Sequence, residues 1–171
     1  MIPHDTDRTN FLKIAGSYMF PFGTSVGFFQ QASSGTPITR QVPIITGSNY
    51  PIRYLGRASE GRTPVFTQTD FYVQHDFKVG GSRRLQLSMN VFNLFNQRVV
   101  TNRVSTMART GSIPLGPGYY TEAEFYAGKL NFDQLIQKAE AAGLMAANPQ
   151  FLMDSAYQAP IVARFGAKFI F

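Results

Sequence analysis

From Gln68 to Val79 the side chains alternate in kind: Thr69, Phe71, Val73, Phe77 and Val79 fall on one parity, and Gln68, Asp70, Tyr72, Gln74, Asp76 and Lys78 on the other. A period of two puts these sets on opposite faces of an extended strand, one apolar and one strongly polar. Gly80-Gly81-Ser82 offers a tight turn, after which Leu85, Leu87, Met89 and Val91 alternate with Arg84, Gln86, Ser88 and Asn90. The two runs predict a β-hairpin. Any fold for this chain must house long strands whose two faces need different surroundings.

Three further runs have the same form. Leu12, Ile14, Gly16, Tyr18 and Phe20 share a parity and lead into Pro21-Phe22-Gly23. The next arm, Thr24 to Ser33, alternates poorly at Val26-Gly27-Phe28-Phe29, so its register is open. At the end, Ile161, Ala163, Phe165, Ala167, Phe169 and Phe171 oppose Val162, Arg164, Gly166, Lys168 and Ile170. The expected class is all-β, with about five antiparallel strands.

The links between these strands alternate in length. Pro21-Phe22-Gly23 and Gly80-Gly81-Ser82 are short, whereas Ser34 to Phe66 and Asn96 to Pro160 are long. Long loops without a core are unusual in compact soluble domains; short turns at one end and long loops at the other are the habit of outer-membrane barrels. Strands of about 10 residues also suit a tilted membrane crossing better than the usual globular length of roughly 5 to 6. Phe20, Phe77, Phe169 and Phe171 lie at strand ends, where an interfacial aromatic girdle would place them. Alternation by itself also fits a soluble, lipocalin-like all-β module whose apolar faces line a small-molecule cavity. His75 interrupts the apolar parity between Val73 and Phe77, and is read as a neutral imidazole near an interface rather than a ligand.

Composition removes other classes. With 16 Phe, 8 Tyr, 15 Gly and 10 Pro, the mix favours strands and turns. The absence of Cys excludes disulfides, thiolate metal sites and a cysteine nucleophile. The net charge of +6 is spread singly, Arg83-Arg84 being the one adjacent basic pair, so no nucleic-acid stripe is expected. No apolar run approaches the roughly 20 residues of a membrane helix. No metal-spaced cluster, Ser-His-Asp signature or phosphate loop is visible, and neither His4-Asp5 nor His75-Asp76 makes a catalytic pair, since strand neighbours point to opposite faces. The chain is therefore expected to be no enzyme and to hold neither cofactor nor metal. The amino terminus lacks the basic start and apolar centre of a signal peptide, so export information is expected upstream in a longer chain.

Within the longest connection, Thr121 with Glu124 and Asn131 with Gln134 read as capping boxes. Phe132, Leu135, Ile136 and Ala139 recur at helical spacing until Gly143, predicting a helix over about 132–142 whose apolar stripe packs on its own loop.

On these residues the sequence resembles TonB-dependent receptors. Asp7-Arg8 before Phe11-Leu12-Lys13, Gly35-Thr36-Pro37, Gly61-Arg62-Thr63-Pro64, the run from Leu85 to Gln97 with Asn93-Leu94-Phe95-Asn96 at its centre, and the ending Arg164 to Phe171 occur in the family's order. The most similar subgroup carries an amino-terminal carboxypeptidase-regulatory-like domain. The resemblance implies a 22-strand barrel with an internal plug, energised by an inner-membrane TonB complex. Residues 1–171 would be the carboxy-terminal part of that transmembrane barrel, with a helix-bearing extracellular insertion over about 97–160. The parent would bind and import a bulky ligand, a chelate, oligosaccharide or peptide, across the bacterial outer membrane. Candidate ligand contacts on the loops are Tyr50, Arg53, Tyr54, Arg109, Tyr119 and Tyr120, because aromatic platforms and Arg donors suit sugars and anionic chelates; each is also an unremarkable loop residue type. Phe165, Phe169 and Phe171 look like the signal read by the barrel-assembly machinery, and would face lipid in either case. Five strands leave two open edges, so transport is expected of the parent rather than of this chain by itself.

Overall fold

The computed structural model describes residues 6–171; the His4-Asp5 pair lies outside the described residues. In chain order the elements are β1 (Phe11–Met19), β2 (Thr24–Ser33), β3 (Val42–Thr46), β4 (Ser48–Ile52), β5 (Phe66–Gly80), β6 (Arg83–Phe92), β7 (Val100–Arg103), β8 (Ala108–Gly111), α1 (Glu122–Tyr126), α2 (Phe132–Ala141), β9 (Met145–Ala147), β10 (Asp154–Tyr157) and β11 (Val162–Ile170). The chain divides into two compact units. One comprises Arg8–Gly35, Pro64–Thr101 and Ala156–Phe171; the other comprises Thr36–Thr63 and Asn102–Ser155, with the segment ending at Asp7.

The first unit is a five-stranded sheet in the order β1-β2-β5-β6-β11, every neighbour antiparallel. The five runs of period two are these five strands. It is an open meander, with β1 and β11 as its edges. The register that the sequence leaves open in β2 is settled by pairing. Phe28 faces Gly16 and Phe71, while Phe29 faces Ala15 and Asp70. Alternation fades there because Phe29 is an apolar residue on the polar parity. A Cβ on Gly16 would stand 2.7 Å from the Phe28 ring, so the glycine leaves room for the aromatic lying across it.

Both short turns form as expected. At the first, Phe20 N–H donates to the Thr24 carbonyl at 2.7 Å and Gly23 N–H to the Phe20 carbonyl at 3.1 Å. At the second, the tip is tighter than the sequence predicts. Gly80 pairs with Arg83, leaving Gly81-Ser82 as the turn and Val79 as the extra residue of a bulge. Arg84 pairs with both Lys78 and Ile170, so the second turn and the close of β11 share one end of the sheet.

The second unit gives the long connections more structure than the one helix that the sequence predicts. They hold the hairpin β3-β4, the ladder β8-β9 and both helices; β7 pairs with β10 in a further two-stranded ladder. The unit has its own core of Val42, Ile44, Ala108, Ile113, Tyr120, Leu135, Ile136, Ala139 and Met145. The α2 stripe therefore packs against β9 of its own connection and belongs to a core that also includes Val42 and Ile44 of the other. Thr121 and Glu124 form the reciprocal capping box ahead of α1. Asn131 caps α2 simply, its Oδ1 accepting from Gln134 N–H at 3.2 Å. Gly143, at φ +71, follows the last turn where the sequence places the stop.

Candidate functional site

Cross-strand register turns the alternating runs into two continuous surfaces. On one, Tyr18, Val26, Val73, Met89 and Phe165 form a row, and Gly16, Phe28, Phe71, Val91 and Ala163 form the next. Toward the short-turn end, Phe77, Leu85 and Phe169 continue it. This apolar face is open at Phe28 (48% exposed) and Phe165 (79%), half-buried at Val26, Phe71, Val73 and Met89, and buried at Val91. His75, which breaks the sequence pattern, faces Thr24, whose hydroxyl meets its Nδ1 at 2.7 Å. Its ring sits edge-on to Phe77 with centroids 4.4 Å apart. A contiguous exposed apolar surface of this extent marks contact with lipid or another apolar partner.

The opposite face is polar and internally hydrogen-bonded along and across the strands. Gln68 donates to Asp70 at 2.8 Å, Tyr72 to Gln74, and both Gln74 (3.3 Å) and Gln86 (2.9 Å) to Asp76. Serine, asparagine, lysine and arginine fill the same parity on the neighbours, including Ser25, Ser88, Asn90, Arg164 and Lys168. One sheet therefore carries two chemically opposed surfaces.

At the long-loop end, the segments that carry the family resemblance act as fasteners. Asn93 is 2% exposed and adopts φ +52, a left-handed conformation that Asn tolerates better than most residues. Its backbone N–H donates to Asp70, and its side-chain amide donates to the carbonyls of Gln97 (2.9 Å) and Ala159 (2.7 Å) while accepting from Gln97 N–H (2.9 Å). Asn96, at φ +48, accepts from Ile161 N–H at 3.2 Å. The two Asn residues thus hold the end of β6 to β5 and to the entry of β11. Thr36 and Thr63 clasp each other through a pair of 2.9 Å bonds, Thr36 N–H to the Thr63 hydroxyl and Thr63 N–H to the Thr36 carbonyl. Arg62 pairs with Asp7 at 2.7 Å, and Arg8 donates to the Ser33 hydroxyl at 2.8 Å.

The six loop residues expected near a ligand do not share one environment. Tyr50, Arg53 and Arg109 are exposed, whereas Tyr54 and Tyr119 are half-buried. Tyr120 is 1% exposed, and its hydroxyl donates to the Ile45 carbonyl at 2.5 Å, so it is a core residue. Burial pushes the Tyr120 hydroxyl above the ordinary tyrosine value. Tyr54 is raised as well, by burial first and by Asp133, to which it donates at 3.0 Å, against the pull of Arg40. Arg40 is held charged by hydrogen bonding to Tyr54 and to Glu60, the latter at 2.7 Å. Sequence reasoning passes over Arg40, Glu60 and Asp133, since nothing in spacing links residues that meet only through the fold. Of the terminal aromatics, Phe165 and Phe169 lie on the apolar face, and Phe171 is 90% exposed with its ring 5.9 Å from that of Phe169.

No family model matches the chain, and no solved structure matches it. Over 176 residues it is 28% identical to the TonB-dependent transporter Oar of Myxococcus xanthus, an alignment that takes in 96% of this chain. The chain is similar to a TonB-dependent transporter. It spans 16% of the length of that relative. No helix among the described residues is long and apolar enough to cross a membrane.

Proposed function

We propose that this chain is the carboxy-terminal part of a TonB-dependent receptor barrel in the bacterial outer membrane, and that its parent imports a bulky ligand. The observation that carries this reading is the opposed polarity of one sheet: an exposed apolar face across five strands, backed by a hydrogen-bonded polar face. A soluble barrel of lipocalin type turns its apolar face inward around a cavity, whereas here that face is open. Ten residues at about 3.4 Å each give roughly 34 Å of strand, and a tilt near 45° reduces this to about 24 Å, the height of a lipid-facing band. At the short-turn end, where a girdle belongs, Tyr18 meets Phe20 edge-on and Phe20 stacks on Phe22.

In this scheme the apolar face meets lipid, the polar face meets the water or plug inside the parent barrel, and the unit built by the long connections lies outside the cell. Ligand capture falls to its exposed residues Tyr50, Arg53 and Arg109 and to the half-buried Tyr54 and Tyr119; Tyr120 belongs to the unit's core. The subgroup with an amino-terminal carboxypeptidase-regulatory-like domain, the plug and the inner-membrane TonB complex are features of the proposed parent. Phe165, Phe169 and Phe171 serve as the mark read by the barrel-assembly machinery. The ligand is a chelate, oligosaccharide or peptide.

Solvent dependence tests the reading. The expressed chain is expected to aggregate in plain buffer and to become folded and monodisperse in detergent; a folded monomer in plain buffer sinks the membrane assignment. Removing Phe171 from the parent is expected to lower its insertion, and unchanged insertion would remove the assembly role.

A further inference from the structure

Within the sheet, Asp70, Asp76, Lys78, Arg84, Arg164 and Lys168 all fall on the polar parity. Arg83 does not. It opens β6 two residues before Leu85 and so shares the apolar face with Leu85, Leu87 and Met89. Its register partner is Gly80, and its diagonal neighbours on that face are the exposed rings of Phe77 and Phe169. The other titratable groups of the apolar parity are Tyr18 and His75, so no acidic side chain faces Arg83 from it. Arg83 is exposed and takes part in no ion pair among the described residues. From Phe77 an open groove of about 310 Å³ runs away from the turn, lined by Val73, His75, Phe77, Leu87, Met89 and Phe165, with Gln74 and Ser88 of the other parity between them. The four residues from Phe77 to Val73 make it roughly 14 Å long.

We infer that Arg83 and this groove bind one phospholipid, the guanidinium holding the phosphate and the groove holding an acyl chain. The inference rests on reading the apolar face as the lipid-facing one. The occupant is selected by the pairing of an unpartnered cation with an apolar groove that ends beside it. A guanidinium fork matches two phosphate oxygens. Arginine on a lipid-facing surface is costly at the midplane and nearly free of cost where it reaches the headgroups. Arg83 stands at that level, one step beyond the row of Phe77, Leu85 and Phe169. Short turns of outer-membrane barrels face the periplasm, so the leaflet that meets Arg83 is the phospholipid one. A free phosphate would leave the groove open, and an acidic peptide would have to lie across exposed aromatic rings.

The test loads the whole chain, in whichever solvent keeps it folded and monodisperse, with phosphatidylglycerol, and reads the retained lipid by native mass spectrometry. Diacylglycerol, inorganic phosphate and oligoglutamate serve as comparisons. Phosphatidylglycerol is expected to bind at least about tenfold more tightly than diacylglycerol, the difference made by one charge-assisted contact or more. Arg83→Gln should remove that preference. Arg83→Lys guards against a folding artefact: it keeps the charge and surrenders the fork, so its loss should be intermediate. Lys78→Gln removes an equal charge from the polar face at the same end and should leave lipid binding unchanged. Equal retention of phosphatidylglycerol and diacylglycerol, unchanged retention in Arg83→Gln, or an equal loss in Lys78→Gln overturns the inference. Preferential binding of inorganic phosphate or oligoglutamate through Arg83 also overturns it. A chain that needs detergent but retains lipid without regard to Arg83 loses this site and keeps the membrane reading. A chain that is monodisperse in plain buffer and still retains phosphatidylglycerol through Arg83 keeps the site and loses the membrane reading.

Discussion

The two units of this chain solve the burial problem in opposite directions. In the unit built by the connections, Val42, Ile44, Ile113 and Tyr120 are almost completely buried and the charges face out. In the sheet, Phe28, Phe77, Phe165 and Phe169 are exposed on one face, while glutamines and aspartates bond to one another on the other. The first is an ordinary water-soluble core; the second makes sense where the surroundings of the apolar face are themselves apolar. The hydrophobic effect has one sign in both; on the proposed reading what differs is the medium that each surface meets.

Charge placed on the apolar face should damage this contrast most. Phe71→Arg is expected to cost about 2–4 kcal/mol of stability in a bilayer if it falls near the midplane, whereas Tyr72→Arg, one residue along and on the polar face, should cost far less. Refolding of the parent into lipid vesicles, followed by gel mobility of unheated samples, measures both. Equal losses would erase the distinction between faces.

Asn93→Ala strikes the fastener at the long-loop end of the sheet. It removes the side-chain bonds to the half-buried Gln97 and the exposed Ala159 and keeps a Cβ at positive φ, so a loss of about 0.5–1.5 kcal/mol per hydrogen bond is expected. Asn93→Gly relieves the backbone strain without restoring the bonds and should recover part of that loss. Chemical denaturation in detergent separates the two contributions.

Ile44→Val addresses the other unit. Trimming one methylene from its buried core is expected to cost about 0.5–1.5 kcal/mol. It should show as faster proteolysis within the connections, with sheet insertion unaffected. The smallest effect concerns α1. Glu124 accepts from the Thr121 backbone N–H at 2.8 Å and from its hydroxyl at 2.9 Å, contacts that hold its carboxyl below the usual carboxylate range. Because the folded value is depressed, the contribution is complete above the unfolded value and is lost as pH falls through the folded one. Acidification should fray α1 in the wild type and leave Glu124→Gln comparatively insensitive, as read by amide exchange of the first helical turn.

The sheet was legible in the sequence because long strands repeat their period often enough to be seen, and its faces followed from parity. The register of β2 was not, since Phe29 imitates its neighbour Phe28 and only pairing with Asp70 assigns it to the polar face. Helix α2 was legible from its caps and stripe. The strands β3, β4 and β7 to β10, of three to five residues each, are too short to show a period. Their core joins Val42 and Ile44 to residues from Ala108 to Met145, a closure that no local pattern announces. Tyr120 was grouped with exposed loop aromatics for the same reason: its burial depends on Ile45, 75 positions away in sequence. Asn93 and Asn96 were visible as a motif, but their task as left-handed, hydrogen-bonded fasteners appears only once β5, β6 and β11 are assembled.

The absence of Cys makes the central claim directly measurable. Single substitutions Phe71→Cys, Val73→Cys and Phe77→Cys, set against Tyr72→Cys, Gln74→Cys and Asp76→Cys, are labelled in the full-length parent, with any cysteine outside this chain first replaced by Ser, using an environment-sensitive fluorophore, and exposed to a lipid-phase quencher. The account predicts strong quenching at 71, 73 and 77 and weak quenching at 72, 74 and 76. Uniform quenching along β5, or quenching on the opposite parity, would contradict it.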